Sequence, residues 1–207
     1  MPRILYLHGF SSSPNSSKAR HIAAKLREAG ANVDVPRLDA GDFEHLTISG
    51  QLRVIEDAAA GEPVALIGSS MGGYLAALYA ARHAEVSRVV LLAPAFRFAK
   101  RWEESMGPAK VADWRAKGSL PVFHYGEGVQ RNLSCELLAD GHQYEDYPDV
   151  QQPALIFHGA HDEVVPARYS EEFGAAHPNA QVEILDSGHE LLNVLDYMTA
   201  KILKFVM

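Results

Sequence analysis

The chain has 207 residues, of which 47% are hydrophobic and 22% are charged, and its formal net charge is −7. These values are typical of one globular domain with a sizeable core, and the acidic balance argues against nucleic acid or an anionic membrane as the main partner. No stretch approaches the roughly 20 apolar residues of a membrane span, so we expect a soluble protein without membrane insertion.

Short apolar runs alternate with helix-like patterns along most of the chain. Four of the runs are almost continuously apolar, as is typical of parallel strands covered by helices on both faces. The six predicted strands are Arg3–Gly9, Asn32–Leu38, Pro63–Ser69, Arg88–Pro94, Pro153–Gly159 and Gln181–Ser187. The alternation predicts an α/β fold with a doubly wound, mostly parallel sheet of about six strands.

Helices are predicted between these strands and after the last one. The first places Ile22, Leu26 and Ala29 on one face, with Ser17 as its candidate N-cap and Gly30 as its stop. The predicted helical ranges are 17–30, 44–61, 71–83, 166–178 and 189–206.

The region of about residues 96–152 breaks this alternation. It contains both tryptophans and no clear buried parallel strand. Two interpretations are open: an irregular helical segment that packs its own aromatic residues, or a small cap over the crevice where open α/β sheets bind ligands. We expect a single domain over residues 1–207, with a cap-like insertion here between the fourth and fifth strands.

The stretch Gly68-Ser69-Ser70-Met71-Gly72 fits the pattern Gly-x-Ser-x-Gly, between a predicted strand and a predicted helix. In that context the serine occupies a sharp turn whose flanking positions must be almost free of side chain. The helix also directs its N-terminal N–H groups at the serine. We predict that Ser70 is a nucleophile. The alternatives are an incidental serine in a glycine-rich turn, or Ser69 in a shifted register.

A serine nucleophile needs a base and a group that orients the base. In this architecture an acid and then a histidine follow later in the chain, each in a loop after a strand. Asp162 follows the fifth predicted strand and His189 the sixth, so Ser70, Asp162 and His189 are the predicted catalytic triad. Glu163 is a rival acid that we expect to turn outward, and Asp186 is interpreted as structural or solvent-facing.

A metal site is the competing interpretation of the segment "HGAHD", which contains His158, His161 and Asp162. Structural zinc needs four ligands, and catalytic zinc needs three around an open position. The sequence offers no second cluster of such residues. We therefore expect no metal and no other cofactor, and we interpret the histidines other than His189 as surface or packing residues.

Acyl transfer also requires two N–H donors for the developing oxyanion. The first is predicted at Met71, after the nucleophile, and the second in the loop after the first strand, at Phe10 or, as second choice, Ser11. Aromatic residues could form an apolar acyl pocket or, equally, ordinary core. The candidate substrate-binding residues are Phe10, Ser11, Tyr74, Trp102 and Trp114, with Phe123 and Tyr125 as further members of the cleft.

With these residues in place, the chain resembles the α/β-hydrolase superfamily over almost its entire length. The segments that carry the resemblance, in the order typical of the family, are "LYLHGFSSSP", "GSSMGG", "HGAHDEVVP" and "SGHEL". More narrowly, the chain is similar to small bacterial YqiA-type esterases and to animal acyl-protein thioesterases of the abhydrolase type. The resemblance implies a cofactor-free hydrolase without the two leading antiparallel strands or the long lid of larger members.

The lone cysteine, Cys135, cannot form an internal disulfide, which fits a reducing compartment. The apolar run in "PRILYLHGF" is shorter than the roughly 7–15 residues of a signal-peptide core. We therefore expect a cytoplasmic protein.

The predicted function is hydrolysis of small carboxylic esters or thioesters through an acyl-enzyme on Ser70. An acyltransferase, a perhydrolase or a carbon–carbon hydrolase could use the same three residues. A non-catalytic ligand-binding protein could use the same fold. The sequence makes no prediction of the oligomeric state.

Overall fold

The computed structural model describes residues 3–207 and contains eight strands in that range. They are β1 (Arg3–Leu7), β2 (Asn32–Asp34), β3 (Val64–Ser69), β4 (Val86–Leu92), β5 (Ser119–His124), β6 (Val129–Ser134), β7 (Ala154–Gly159) and β8 (Ala180–Leu185). Six of them form one sheet in the order β2-β1-β3-β4-β7-β8, and β5 and β6 form a separate pair. Every pairing in the large sheet is parallel, which confirms the predicted architecture.

Eight α-helices accompany the strands in the described part of the chain. They are α1 (Ser17–Glu28), α2 (Ile48–Ala59), α3 (Met71–Ala80), α4 (Phe98–Met106), α5 (Pro108–Lys117), α6 (Glu136–Gly141), α7 (Arg168–Ala176) and α8 (Leu195–Val206). None of these helices combines the length and the apolar character that crossing a membrane requires.

The helices cover both faces of the large sheet, and β1 shows why its sequence is apolar throughout. Successive side chains of a strand point to opposite faces. Ile4 and Tyr6 join the hydrophobic cluster beneath α1 and α8. Leu5 and Leu7 join the cluster that contains residues of α2 and α3. Because both faces are buried, polar residues at alternate positions are not tolerated.

The first helix departs from its prediction at both ends. Ser16, not Ser17, is the N-cap, because its side-chain oxygen accepts from the Ala19 N–H. Ser17 is already helical. Ala29 is exposed and lies just beyond the end of the helix, so the predicted apolar face stops at Leu26.

The final helix begins at Leu195 and not at His189 as predicted. Leu191 adopts a left-handed conformation with φ of 56°, which interrupts helical geometry. A short 3-10 helix, Leu192–Val194, follows it. His189 therefore lies in a loop rather than on the first turn of a helix.

The region after β4 contains α4, α5, the antiparallel β5–β6 hairpin and α6. It does not have a separate core. Phe98, Trp114 and Leu133 belong to the same hydrophobic cluster as Leu75 of α3. The Trp114 indole N–H also donates to the Leu133 carbonyl, at 2.9 Å, which joins α5 to the hairpin.

Helix α3 lies unusually close to β1 and β3, and glycines make this approach possible. A Cβ atom on Gly68 would come within 3.0 Å of the Gly72 carbonyl, and one on Gly72 within 3.0 Å of the Leu7 carbonyl. Both obstacles are backbone atoms that cannot rotate away. The two glycines of the Gly-x-Ser-x-Gly pattern are therefore required by packing.

Replacing Gly72 by alanine should destabilise the protein by about 3 kcal/mol or more, because the new methyl group forces α3 away from the sheet. Urea unfolding followed by circular dichroism measures the effect. Gly188→Ala is the matched control, since its Cβ would meet nothing closer than 3.9 Å. Equal stability of the two variants would contradict the close-approach interpretation.

Candidate active site

Ser70 occupies a strained turn between β3 and α3. Its φ of 53° and ψ of −116° lie outside the usual regions for a residue with a side chain, at a cost of roughly 1–3 kcal/mol. Two hydrogen bonds hold the turn to the end of β4. The Ser70 N–H donates to the Leu92 carbonyl at 2.8 Å, and the Ala95 N–H donates to the Ser70 carbonyl at 3.0 Å.

His189 bridges the other two residues of the predicted triad. Its Nε2 lies 3.1 Å from Ser70 Oγ, and its Nδ1 lies 2.7 Å from Asp162 Oδ2. Because a carboxylate only accepts, Nδ1 carries the proton and Nε2 is left to accept from the serine hydroxyl. The structure thus brings the three predicted side chains together in that order.

The Asp162 carboxylate is fully buried and held by several donors. Its Oδ1 accepts from the N–H groups of Val164 at 2.8 Å and Val165 at 2.7 Å. Burial by itself would raise the pKa of Asp162, but the hydrogen bonds from His158, His189 and Val165 hold it well below the usual range. A stable negative charge therefore faces the His189 ring.

His158 also contacts this carboxylate, although its place in the sequence predicted a surface or packing residue. Its Nε2 lies 3.1 Å from Asp162 Oδ2 and 2.8 Å from the Val165 carbonyl, so this nitrogen carries a proton. Its Nδ1 lies 2.7 Å from Ser170 Oγ. The available signal was a histidine inside the otherwise apolar run of β7.

The other candidates in this loop point away from the carboxylate. His161 is exposed, and its Nε2 lies 2.8 Å from Asp186 Oδ1. Glu163 is exposed as well. Among residues 3–207, no three His, Cys, Asp or Glu side chains are grouped so that they could hold a metal ion.

A cavity of about 690 Å³ opens over Ser70 and His189. Phe10, Ser11 and Trp102 line it, as does Tyr125 of the hairpin loop. The Phe10 and Trp102 rings meet edge to face with their centroids 5.0 Å apart. Three of the candidate substrate-binding residues thus lie in the cavity wall.

Tyr74 and Trp114, the remaining two candidates, lie in the core and do not line this cavity. The Tyr74 hydroxyl donates to the Glu145 carbonyl at 2.7 Å, and Trp114 is tied to the hairpin. Their prediction as residues of this pocket was wrong, because both side chains are almost fully buried, at 1% exposed, and leave no surface for the cavity. Phe123 is exposed and also lies outside the cavity.

The predicted oxyanion donors, Met71 and Phe10, both line the cavity. Met71 is the first residue of α3, so its N–H has no acceptor within the helix. Within residues 3–207, the Phe10 N–H donates to no backbone carbonyl. Both groups are therefore available to a ligand oxygen.

Charged residues of the cavity wall went unrecognised in the sequence. Lys18 of α1, Arg101 of α4 and Glu190 all line it. One pattern could have indicated Arg101, since Phe98, Arg101 and Trp102 follow the i, i+3, i+4 spacing that places residues on one helix face. All three line the cavity.

Solved structures define the class of the fold. The mouse α/β hydrolase domain-containing protein 10 has a TM-score of 0.82 and 20% identity, covering 100% of this chain and 90% of its own. A putative hydrolase from Agrobacterium vitis S4 has a TM-score of 0.85 and 22% identity, covering 100% and 88%. The chain therefore has the α/β-hydrolase fold, which confirms the fold implied by the resemblance.

The family follows from a second comparison. The family model described as "Uncharacterised protein family (UPF0227)" matches residues 3–207, and the chain belongs to this family. Among curated proteins it is similar to the monoacylglycerol lipase ABHD6 of Homo sapiens. The two are 25% identical over 251 residues, covering 98% of this chain and 74% of the human protein.

The low pKa of Asp162 predicts a pH-dependent stability difference. Because its folded pKa lies below its ordinary value of 3.8, ionised Asp162 stabilises the fold at neutral pH. That contribution is lost as the pH falls below about 4. The stability advantage of the wild type over Asp162→Asn should therefore shrink by about 1 kcal/mol between pH 7 and pH 3.

Urea unfolding at several pH values measures this difference. Asp186→Asn is the control for loss of a carboxylate in a nearby loop, since its side chain is 95% exposed. If the stability advantage of the wild type over Asp162→Asn stayed constant down to pH 3, the low pKa of Asp162 would be contradicted.

Proposed function

We propose that the protein is a serine hydrolase that cleaves carboxylic esters or thioesters. The observation that carries the proposal is the hydrogen-bonded series from Ser70 Oγ through His189 to Asp162, at 3.1 and 2.7 Å, open to a cavity. The similarity to a protein named monoacylglycerol lipase supports ester hydrolysis.

In the proposed reaction His189 Nε2 removes the proton from Ser70 Oγ as that oxygen attacks the acyl carbonyl. The Met71 and Phe10 N–H groups stabilise the developing oxyanion. The imidazolium then gives its proton to the departing alcohol or thiol. Water, activated in turn by His189, hydrolyses the acyl-enzyme and regenerates Ser70.

Asp162 has two tasks in this scheme: it fixes the His189 tautomer and stabilises the imidazolium. Its carboxylate can perform both because it is itself held in place. The Val164 and Val165 N–H groups fix Oδ1, and His158 contacts Oδ2 beside His189. His158 is thus a positioning residue in the proposal.

The acyl group is proposed to lie against the aromatic part of the wall. Phe10, Phe98 and Trp102 form a connected set, with ring centroids 5.0 and 5.2 Å apart. Such surfaces bind alkyl chains by removing apolar area from water. We propose that α4, which supplies two of these rings, and the tip of the β5–β6 hairpin act together as the cap over the site.

Ser70→Ala should lower kcat/KM for 4-nitrophenyl butyrate by about three orders of magnitude or more, because the attacking oxygen is lost. Ser69→Ala tests the rival register and should retain activity within tenfold. Retention of more than a tenth of the activity by Ser70→Ala would refute the mechanism. If the wild type acts only on the matching thioester, the proposal narrows to a thioesterase.

Trp102→Ala should lower kcat/KM for octanoyl esters about tenfold relative to acetyl esters, since part of the apolar wall is removed. The measurement is a 4-nitrophenyl ester series from C2 to C16. Tyr197→Ala, on the exposed surface of α8 outside the cavity, is the control and should leave the profile unchanged. If kcat/KM of Trp102→Ala and of the wild type changed with acyl length in the same way, the proposed acyl pocket would be excluded.

A transferase is separated from a hydrolase by its products. Adding methanol or hydrogen peroxide to the butyrate assay shows whether the acyl group passes to the added acceptor. Butyrate as the main product supports hydrolysis.

A further inference from the structure

The wall of the active-site cavity contains a lysine without a direct partner. Lys18 lies in the first turn of α1, is 8% exposed, and lines the same cavity as Ser70 and His189. Within residues 3–207 only distant charges act on its ammonium, and no hydrogen bond does. Lysine is almost never so buried unless it is paired, and an unpaired ammonium in a cavity wall can donate charge-assisted hydrogen bonds to an anion that enters.

The nearest carboxylates belong to Glu190 and Asp162. Burial lowers the pKa of Lys18, and these two carboxylates act in the opposite direction by favouring its charged form. Neither reaches the ion-pair distance of 4.0 Å. Asp162 is already engaged with His158, His189 and backbone N–H groups. The two carboxylates therefore stabilise the charged form of Lys18 from a distance, and neither forms a direct ion pair with it.

The first turn of α1, which contains Lys18, also has backbone N–H groups without an acceptor within residues 3–207, apart from the Ala19 N–H that Ser16 caps. Ser16 and Ser17 line the cavity at the N-terminus of α1, whose first turn has no acidic residue. The free N–H groups of such a turn favour an anion. Tyr6 lines the cavity too, and its hydroxyl is buried beside Ser69.

The cavity wall carries a second cation, Arg101. Lys18 and Arg101 line it as cations, against the carboxylate of Glu190. Arg101 donates through Nη1 to the Val164 carbonyl at 2.9 Å, and its buried Nε has no partner within residues 3–207. Asp162 also acts on both cations, but within residues 3–207 neither forms a direct ion pair with it, so both keep donors for an anionic ligand.

We propose that Lys18 binds an anionic group, a carboxylate or a phosphate, carried by the leaving group of the substrate. This rests on the proposed function, in which His189 protonates the leaving group and so lies beside it. Glu190 follows His189 in the chain, and Lys18 is near Glu190. In this arrangement the acyl chain contacts the aromatic rings of Phe10 and α4.

The kinetic test uses butyryl esters that share an acyl group and differ in the leaving group: 4-(butyryloxy)benzoate, its uncharged methyl ester, and 4-(butyryloxy)phenyl phosphate. Lys18→Met should lower the anionic-to-neutral ratio of kcat/KM about ten- to hundredfold, as expected for a lost charge-assisted hydrogen bond. Activity on the methyl ester reports whether the variant is folded. The benzoate and phosphate probes show which anion is preferred.

Lys25→Met removes the same charge from the exposed side of α1, where Lys25 pairs with Glu28 at 2.8 Å. This control should keep the wild-type ratio. A ratio for Lys18→Met within twofold of the wild type would overturn the inference while leaving the Ser70 mechanism intact.

A binding test does not depend on turnover. Calorimetry with 4-hydroxybenzoate and phenyl phosphate, on the Ser70→Ala protein with and without Lys18→Met, should show a Kd at least tenfold higher without the lysine. Absence of saturable binding of either anion, or an equal Kd in both proteins, overturns the inference. Lysine-dependent binding in a protein whose wild type hydrolyses neither esters nor thioesters would keep the anion site and refute the proposed function.

Discussion

The contact between the backbones of Gly72 and Leu7 is the constraint on which the rest of the site depends. It lets α3 begin directly above β1, and with the Gly68–Gly72 contact it leaves room only for a sharp turn at Ser70. The strain in that turn is balanced by hydrogen bonds to the end of β4 and by the hydrophobic cluster under α3. The position of Ser70 therefore depends on contacts of α3 with β1, β3 and β4, and not on the turn alone.

Strand order then determines which loops meet. Ser70 and His189 are 119 positions apart in sequence, yet β3 and β8 end at the same edge of the sheet. Asp162 follows β7, which lies between them in the sheet and next to β8. Asp162 and His189 thus follow the adjacent strands β7 and β8, whereas Ser70 follows β3, two strands from β7. The His189 imidazole therefore reaches across the carboxyl end of β4 and β7 to contact Ser70.

The sequence allowed prediction of those site residues that lie directly after a strand. Ser70, Asp162 and His189 each come after a buried run, and buried parallel strands have a strong sequence pattern. Tyr74 and Trp114 were misassigned because composition does not reveal which way an aromatic side chain points. Lys18 was overlooked because a lysine at a helix start is normally exposed, and only the tertiary position of α1 turns it toward the cavity.

The proposed catalytic triad and most of the proposed acyl-binding surface come from different parts of the chain. The serine, acid and histidine follow strands of the sheet, whereas Phe98, Arg101 and Trp102 lie on one helix of the insertion. In the proposed mechanism, mutations in α4 can therefore change the acyl-binding surface during evolution without displacing the triad. Trp114 and Leu133 limit that evolutionary freedom, because the insertion shares its core with the sheet and changes at these positions also act on the stability of the whole fold.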